Sequence, residues 1–329
     1  MHTSTHSRRR VIGALCTLAL AAALPASAQT EPYPSRAITV VVGYPPGGST
    51  DLTGRIVADE LGRMLKASVV VENQGGSGGA LAAQRVAKAA PDGYTLMMAS
   101  NNELVINQYI NKQIKVDGQK DFTPIGMVAS QPLVLVATRK AGVRNLNEFV
   151  DAVKRQPGKF NYGSAGIGTS LHLLGELVKD KAKLDLVHVP YKGAAPLTND
   201  LLGGNIEYGV FVLSSGLQHI RAGKVVPLGT SERKRSALTR DVPALAEHPA
   251  LHDIDVGAWF MLVGPAGLPP AVTHKLQAAL AQMLKVPAVR QKLEDAGSTV
   301  TEEQPDLRAY LGSESAKYRR MVELAGITP

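Results

Sequence analysis

Three apolar runs of strand length open the patterned part of the chain. AITVVVG (37–43), SVVVEN (68–73) and YTLMMAS (94–100) are continuous and rich in β-branched residues, which predicts strands covered on both faces. Between the first two, Leu52, Ile56, Leu61 and Leu65 recur at near-helical spacing, and ALAAQRVAKAA is a strong helix former. Pro91-Asp92-Gly93 predicts a turn before the third strand. This β-α-β-α-β order predicts a parallel sheet covered by helices. The pattern then restarts with strands over PLVLVAT (132–138), KFNYG (159–163), LVHVPY (186–191), NIEYGVFV (205–212) and VVPLGTS (225–231). Helices are expected over NLNEFVDAVKR, TSLHLLGELVKDKA and AAPLTNDLLGG. AWFMLVGPAG (258–267) is a further strand, and helical patterns follow from Pro269, Pro287 and Asp306, the prolines sitting where a helix opens. Two βα sets without a low-complexity tether predict two α/β domains joined by strands, a hinge with two or more crossings.

The first 28 residues change the picture at one end only. Arg8, Arg9 and Arg10, the apolar stretch VIGALCTLALAAAL and the small-residue stretch ASA at 26–28 predict an export signal cleaved after Ala28. The stretch is short and alanine-rich for a membrane span. Ser7-Arg8-Arg9 leaves the twin-arginine and the general secretory routes both open. The single cysteine, Cys16, lies inside the signal, so a mature chain offers no disulfide, thiolate nucleophile or cysteine metal site. Formal charge is +8, and removing the three signal arginines leaves +5. The basic cluster Arg233-Lys234-Arg235 lacks neighbouring aromatics and reads as a solvated loop, not a nucleic-acid surface. A mildly positive body suits anionic ligands.

Candidate chemistry sits in four Gly-rich loops, each between a predicted strand and a helix. In YPPGGSTD, Pro45-Pro46 ends the strand, Gly47 and Gly48 let backbone approach a ligand, and Ser49, Thr50 or Asp51 caps the helix. NQGGSGG (Gly76, Ser77), NYGSAGIGTS (Ser164, Gly166, Gly168, Thr169) and VPYKGAAP (Tyr191, Lys192, Gly193) repeat the logic. A capped turn explains any one of them. Four, two in each half, at the carboxyl ends of strands predict a ligand cleft with anion-seeking helix N-termini. Tyr44 at the start of the first loop and Ser100 at the end of the third strand join the candidates. Lys192 either neutralises the anion or points to solvent; Asp51 organises its loop, since it would repel a carboxylate; Trp259 packs in the core or hinge. Gly75-Gly76-Ser77-Gly78-Gly79 formally matches a nucleophile elbow, with Asp200, Asp241, His219 and His274 available downstream, so a serine hydrolase using Ser77 is the competing reading. No phosphate-loop or dinucleotide fingerprint occurs, and the scattered histidines, including His248 and His252, predict no metal site.

Taken together, YPSRAITVVVGYPPGGSTDLTGR, VVVENQGGSGGALAAQRVAKAAPDGYTLMMAS, DFTPIGMVAS, NYGSAGIGTSLHLLGELV, VPYKGAAPLTNDLLGGNIEYGV and GPAGLPPAV resemble the Bug (Bordetella uptake gene) family, TctC-like extracytoplasmic solute receptors of tripartite tricarboxylate transporters. The resemblance runs in order over residues 32–329. It implies an α/β, type II periplasmic-binding-protein fold, with 29–131 plus 237–329 as domain 1 and 132–236 as domain 2, closing on a carboxylate-bearing organic acid. In that family the loop after the first strand and the Gly-rich loop of the second domain bind carboxylate through backbone N–H groups, hydroxyls and ordered water; here these are Tyr44 to Asp51 and Ser164 to Thr169. No catalytic residue, cofactor or metal is implied. The implied setting is the periplasm, the protein a monomer, and the partner a membrane transporter or, alternatively, a sensor kinase. VFVLSSGL (210–217) departs from the family by placing Leu213, Ser214 and Ser215 where many relatives are more acidic or amide-rich.

Overall fold

The computed structural model describes residues 33–111, 113 and 115–327. The expected export segment, with Arg8, Arg9, Arg10, Cys16 and the cleavage expected after Ala28, lies outside the described residues. The chain divides into a unit Met1–Ser35 and a unit Arg36–Pro329, and every element below belongs to the second.

β1 (Ile38–Val42), β2 (Val69–Asn73) and β3 (Thr95–Ser100) form where the apolar runs predict them, with β1 central and parallel to both neighbours. The crossovers are α1 (Ser49–Leu65) and α2 (Ala80–Ala87), and a single turn, α3 (Asn107–Ile110), comes after β3. Burial is complete along most of β1 and β3, but β2 alternates between half-buried and exposed, with Val70 47% exposed. The expectation of two covered faces fails for β2 because it ends the strand order, and a sheet edge has less structure laid over it.

β4 (Phe122–Thr138) is much longer than the predicted 132–138. It passes through Pro124, tolerated because the register against β9 (Gly257–Pro265) shifts there at a bulge, Pro124/Gly126, with a second bulge at Met127/Ala129, and through Pro132, which lies opposite Gly257 where the strand changes partners. The part Phe122–Pro132 pairs with β9, which in turn pairs with β3. The part Leu133–Thr138 pairs with β7 (Tyr208–Val212) and β8 (Val225–Thr230). β5 (Asn161–Ser164) and β6 (Val187–Pro190) complete the order β2-β1-β3-β9-β4-β7-β5-β6, and a short β10 (Thr299–Val300) also lies on β4. Parallel pairing recurs at β5–β6 and β5–β7, so each half carries its own parallel set with antiparallel strands between.

Helices α4 (Leu146–Arg155), α5 (Ser170–Ala182), α6 (Ala194–Gly203) and α7 (Leu213–Arg221) belong to the β5–β8 half; of these α7 has no counterpart in the sequence pattern. Val134, Val136, Leu197, Leu201, Ile206, Phe211, Leu213 and Leu217 form a shared core there. α8 (Pro270–Met283), α9 (Pro287–Asp295) and α10 (Leu307–Leu324) follow β9 where the prolines and Asp306 predict them. Trp259 is buried on β9 and donates to Glu314 at 2.7 Å.

Candidate functional site

The loop from β1 to α1 is held by a carboxylate underneath it. Asp51 is 2% exposed; its oxygens accept from the Gly47 N–H at 2.9 Å, Arg55 Nε at 3.0 Å and Asn73 Nδ2 at 2.8 Å. Burial would raise this carboxyl, but the bonds from Arg55, Gly47 and Asn73 outweigh it and hold it below its ordinary value. Gly47 takes φ +87°, a left-handed conformation that glycine adopts without strain. Gly48 is the α1 N-cap and gives no side-chain cap, so the first-turn N–H groups at Ser49 and Thr50 lack intrahelical partners.

The end of β3 supplies a polar hub. Asn102 donates from Nδ2 to the Tyr44 hydroxyl at 2.5 Å, while its Oδ1 accepts from the Ser170 N–H at 2.9 Å, joining the first loop to the start of α5. The Tyr44 hydroxyl donates to the Gly78 carbonyl at 3.2 Å. Ser100 gives both its N–H (2.9 Å) and its hydroxyl (2.5 Å) to Glu103 Oε2. Glu103 Oε1 is buried without a partner, and burial pushes this carboxyl up to about 7, the Ser100 bonds acting the other way. A Cβ at Gly79 would stand within van der Waals overlap of that oxygen, so the glycine makes room for it.

The Gly-rich loop after β5 is braced from behind. Thr169 caps α5, its hydroxyl donating to the Gly166 carbonyl at 2.8 Å and accepting weakly from the His172 N–H. His172 Nδ1 accepts from the Gly168 N–H at 3.0 Å, and Ser164 Oγ lies 2.7 Å from His188 Nε2.

These loops line one shared cleft. Four helix N-termini reach its wall: Ser49 and Thr50 of α1, Ser170 and Leu171 of α5, Ala194 and Ala195 of α6, and Val212 and Ser215 at the start of α7. Ser100, Asn101 and Asn102 contribute polar groups, and Pro45, Phe211 and Phe260 an apolar wall. No charged side chain lines it among the described residues.

Of the sequence-predicted residues, Tyr44, Gly48, Ser49, Ser100 and Thr169 stand in the wall. Ser164 and Gly168 are buried behind it, bonded to His188 and His172, while Gly47 is exposed on its loop, bonded to Asp51. Gly76 and Ser77 are exposed on the turn after β2, and Lys192 is exposed beside Gly193. Ser77 has φ +49°, a strained backbone as an elbow would show, but no histidine or carboxylate bonds it among the described residues. Sequence reasoning missed Asn101, Asn102 and Ser215. The signal for the first two was present, two amides directly after a predicted strand; Ser215 depends on α7, which the pattern did not show.

The arrangement can bind an anion without countercharge, through first-turn N–H groups such as those of Ser49, Thr50 and Leu171 and through converging helix dipoles. Comparison with known proteins agrees with that chemistry. The family model described as the tripartite tricarboxylate transporter family receptor, TctC, matches residues 53–327. Protein BugT of Bordetella pertussis is 32% identical over 308 residues, spanning 92% of this chain and 93% of that one. The solved structure of R. palustris Rpa4515 with adipate superposes with a TM-score of 0.87 at 28% identity, covering 90% of this chain and 99% of the other. MatC from Rhodopseudomonas palustris with bound malate gives 0.82 at 31% identity, covering 88% and 100%. The chain belongs to the TctC, or Bug, family of solute-binding receptors.

Proposed function

We propose that this receptor captures a small carboxylate-bearing organic acid in the periplasm and delivers it to a tripartite tricarboxylate-type transporter, without catalysing a reaction. The observation that carries the reading is the convergence of four helix N-termini on a cleft lined by no charged side chain. Such a wall stabilises a carboxylate through main-chain donors at fixed positions and supplies no general base or activated nucleophile. The adipate and malate held by two related receptors support the ligand class. The receptor works as a monomer whose two lobes, 29–131 with 237–329 and 132–236, close about the chain crossings at 131/132, within β4, and at 236/237. Its mature chain starts at Gln29. Among the described residues no helix is long and apolar enough to cross a membrane, and no cluster of three His, Cys, Asp or Glu is placed to hold a metal. Of the two partners the family pattern allows, permease and sensor kinase, the transporter match favours the permease.

The test is a thermal-shift and calorimetric screen of mono-, di- and tricarboxylates, aromatic acids and acidic amino acids. A true ligand at about 100 times Kd raises stability by roughly 2.7 kcal/mol. If no acid shifts the melting temperature or releases heat, the organic-acid reading is wrong. An esterase assay on the parent and on Ser77→Ala decides against the hydrolase: turnover that vanishes in the variant would establish it instead.

A further inference from the structure

Behind the wall of the cleft lies a pair of stacked imidazoles that the binding chemistry does not touch. The His172 and His188 rings are 3.8 Å apart and 12° from parallel. Each is tied to the Gly-rich loop whose front, Ala165 and Thr169 to Leu171, lines the cleft. His172 reaches it through the Gly168 N–H, His188 through Ser164 Oγ. The first bond has a strict requirement. A backbone N–H can only donate, so Nδ1 of His172 must be a bare acceptor, and the ring proton sits on Nε2, which points toward Glu176 Oε1 at 3.7 Å. A second proton on Nδ1 turns that hydrogen bond into a donor facing a donor. We propose that His172 is a positioning residue for the carboxylate-binding loop, holding Gly168 and hence Thr169 and Ser170 in place only as a neutral imidazole, so that acidification loosens the ligand site. The inference rests on the proposed anion-binding role of that loop.

The surroundings favour the neutral ring. Burial lowers the affinity of His172 for a proton; Glu176 acts against this and Lys179 with it. Glu176 is a weak counterion, because Lys179 bonds both its oxygens at 2.9 Å and the Tyr162 hydroxyl donates to it at 2.6 Å. His188 on β6 stacks against the ring, so two cations would meet face to face; burial, then His172, then Lys179 holds His188 down at about 3. Other elements packed on α5 bring groups that are already engaged. Glu314 on α10 is bonded by Trp259 and Lys317. In the turn Pro249–Leu251, His248 and His252 bond within their own segment, and Tyr208 on β7 is a phenol.

The experiment uses the mature protein, its variants His172→Asn and His172→Leu, and L-malate and adipate as probes. Asparagine places an oxygen close to the position of Nδ1 and cannot be protonated there, so it keeps the acceptor at every pH; leucine removes it. In ligand-free, isotope-labelled protein, the Gly168 amide is expected to lose protection from exchange as the pH falls from 7.5 to 5, beyond the intrinsic pH trend. The Asn variant should not show the loss, and the Leu variant should lack protection throughout. Binding should follow: wild type weakens by about three- to tenfold between these pH values, Asn holds steady, and Leu is weak at both, the size expected for one hydrogen bond. A Gly168 amide whose protection ignores both pH and the substitutions overturns the proposal. So does wild-type binding that changes with pH no differently from His172→Asn. If neither acid binds any form, the Gly168 exchange alone decides the role of His172.

Discussion

At the scale of single residues, Glu103 stands apart from the other buried carboxylates. Asp51 has Arg55, Glu60 has Arg63 and Glu314 has Lys317, each in an ion pair; among the described residues Glu103 has only Ser100. Burial raises its pKa from 4.5 to about 7. A raised folded-state pKa means that folding is favoured while the group is protonated, fully below 4.5, and that this contribution is lost as pH rises through about 7. Glu103→Gln, which mimics the protonated form, is therefore expected to gain stability over wild type at pH 8 by on the order of 3 kcal/mol, and to gain nothing at pH 4.5. Urea unfolding at both pH values checks this; an equal difference at both would show that the carboxyl is not proton-linked. Gly48 offers a cleaner probe of the ligand side. A Cβ there meets nothing nearer than the Pro45 carbonyl at 4.0 Å, so Gly48→Val points into the cleft without crowding the protein. Its melting temperature should stay near wild type while carboxylate binding weakens tenfold or more, as calorimetry would read.

Among elements, the loop that opens α1 depends on a single brace. Removing the Asp51 carboxylate leaves the Gly47 N–H, Arg55 and Asn73 without their shared acceptor, and Asp51→Ala should cost about 1.5–3 kcal/mol in denaturant unfolding and weaken binding as the loop relaxes. A melting curve identical to wild type would mean that the turn sets itself. This loop was readable from sequence because its cues are local: prolines, glycines and capping residues in a row. So were β1, β3 and the helices after Pro269, Pro287 and Asp306. The true length of β4 was not, since the bulge that admits Pro124 and the pairing of Pro132 with Gly257 depend on β9, over a hundred residues away. Nor was α7, which begins directly at the end of β7 with no capping side chain to announce it. In the site, sequence located the loops but not which side of each loop faces the cleft. Ser164 and Gly168 carry the right chemistry and are turned to a histidine pair that only tertiary packing assembles. The glycine pattern around Ser77 matches an elbow formally for the same reason: a local motif carries no information on its distant partners.

For the molecule as a whole, β4 is one strand with two sets of neighbours, β9 along its first part and β7 and β8 along its last. Closure about it should leave the sheets intact and shrink the particle, so scattering with a bound acid is expected to give a smaller radius of gyration with unchanged circular dichroism; equal radii would mean that the cleft is already closed when empty. The wall without charged side chains has a consequence for how such a receptor changes over time. A donor that belongs to the main chain is present whatever residue other than proline occupies the position, so side-chain drift can reshape the Phe211 and Phe260 wall while the proposed carboxylate grip persists. An alanine scan of the cleft would thus miss the groups that matter most; replacing the amide at Thr50 or Leu171 by an ester would expose them.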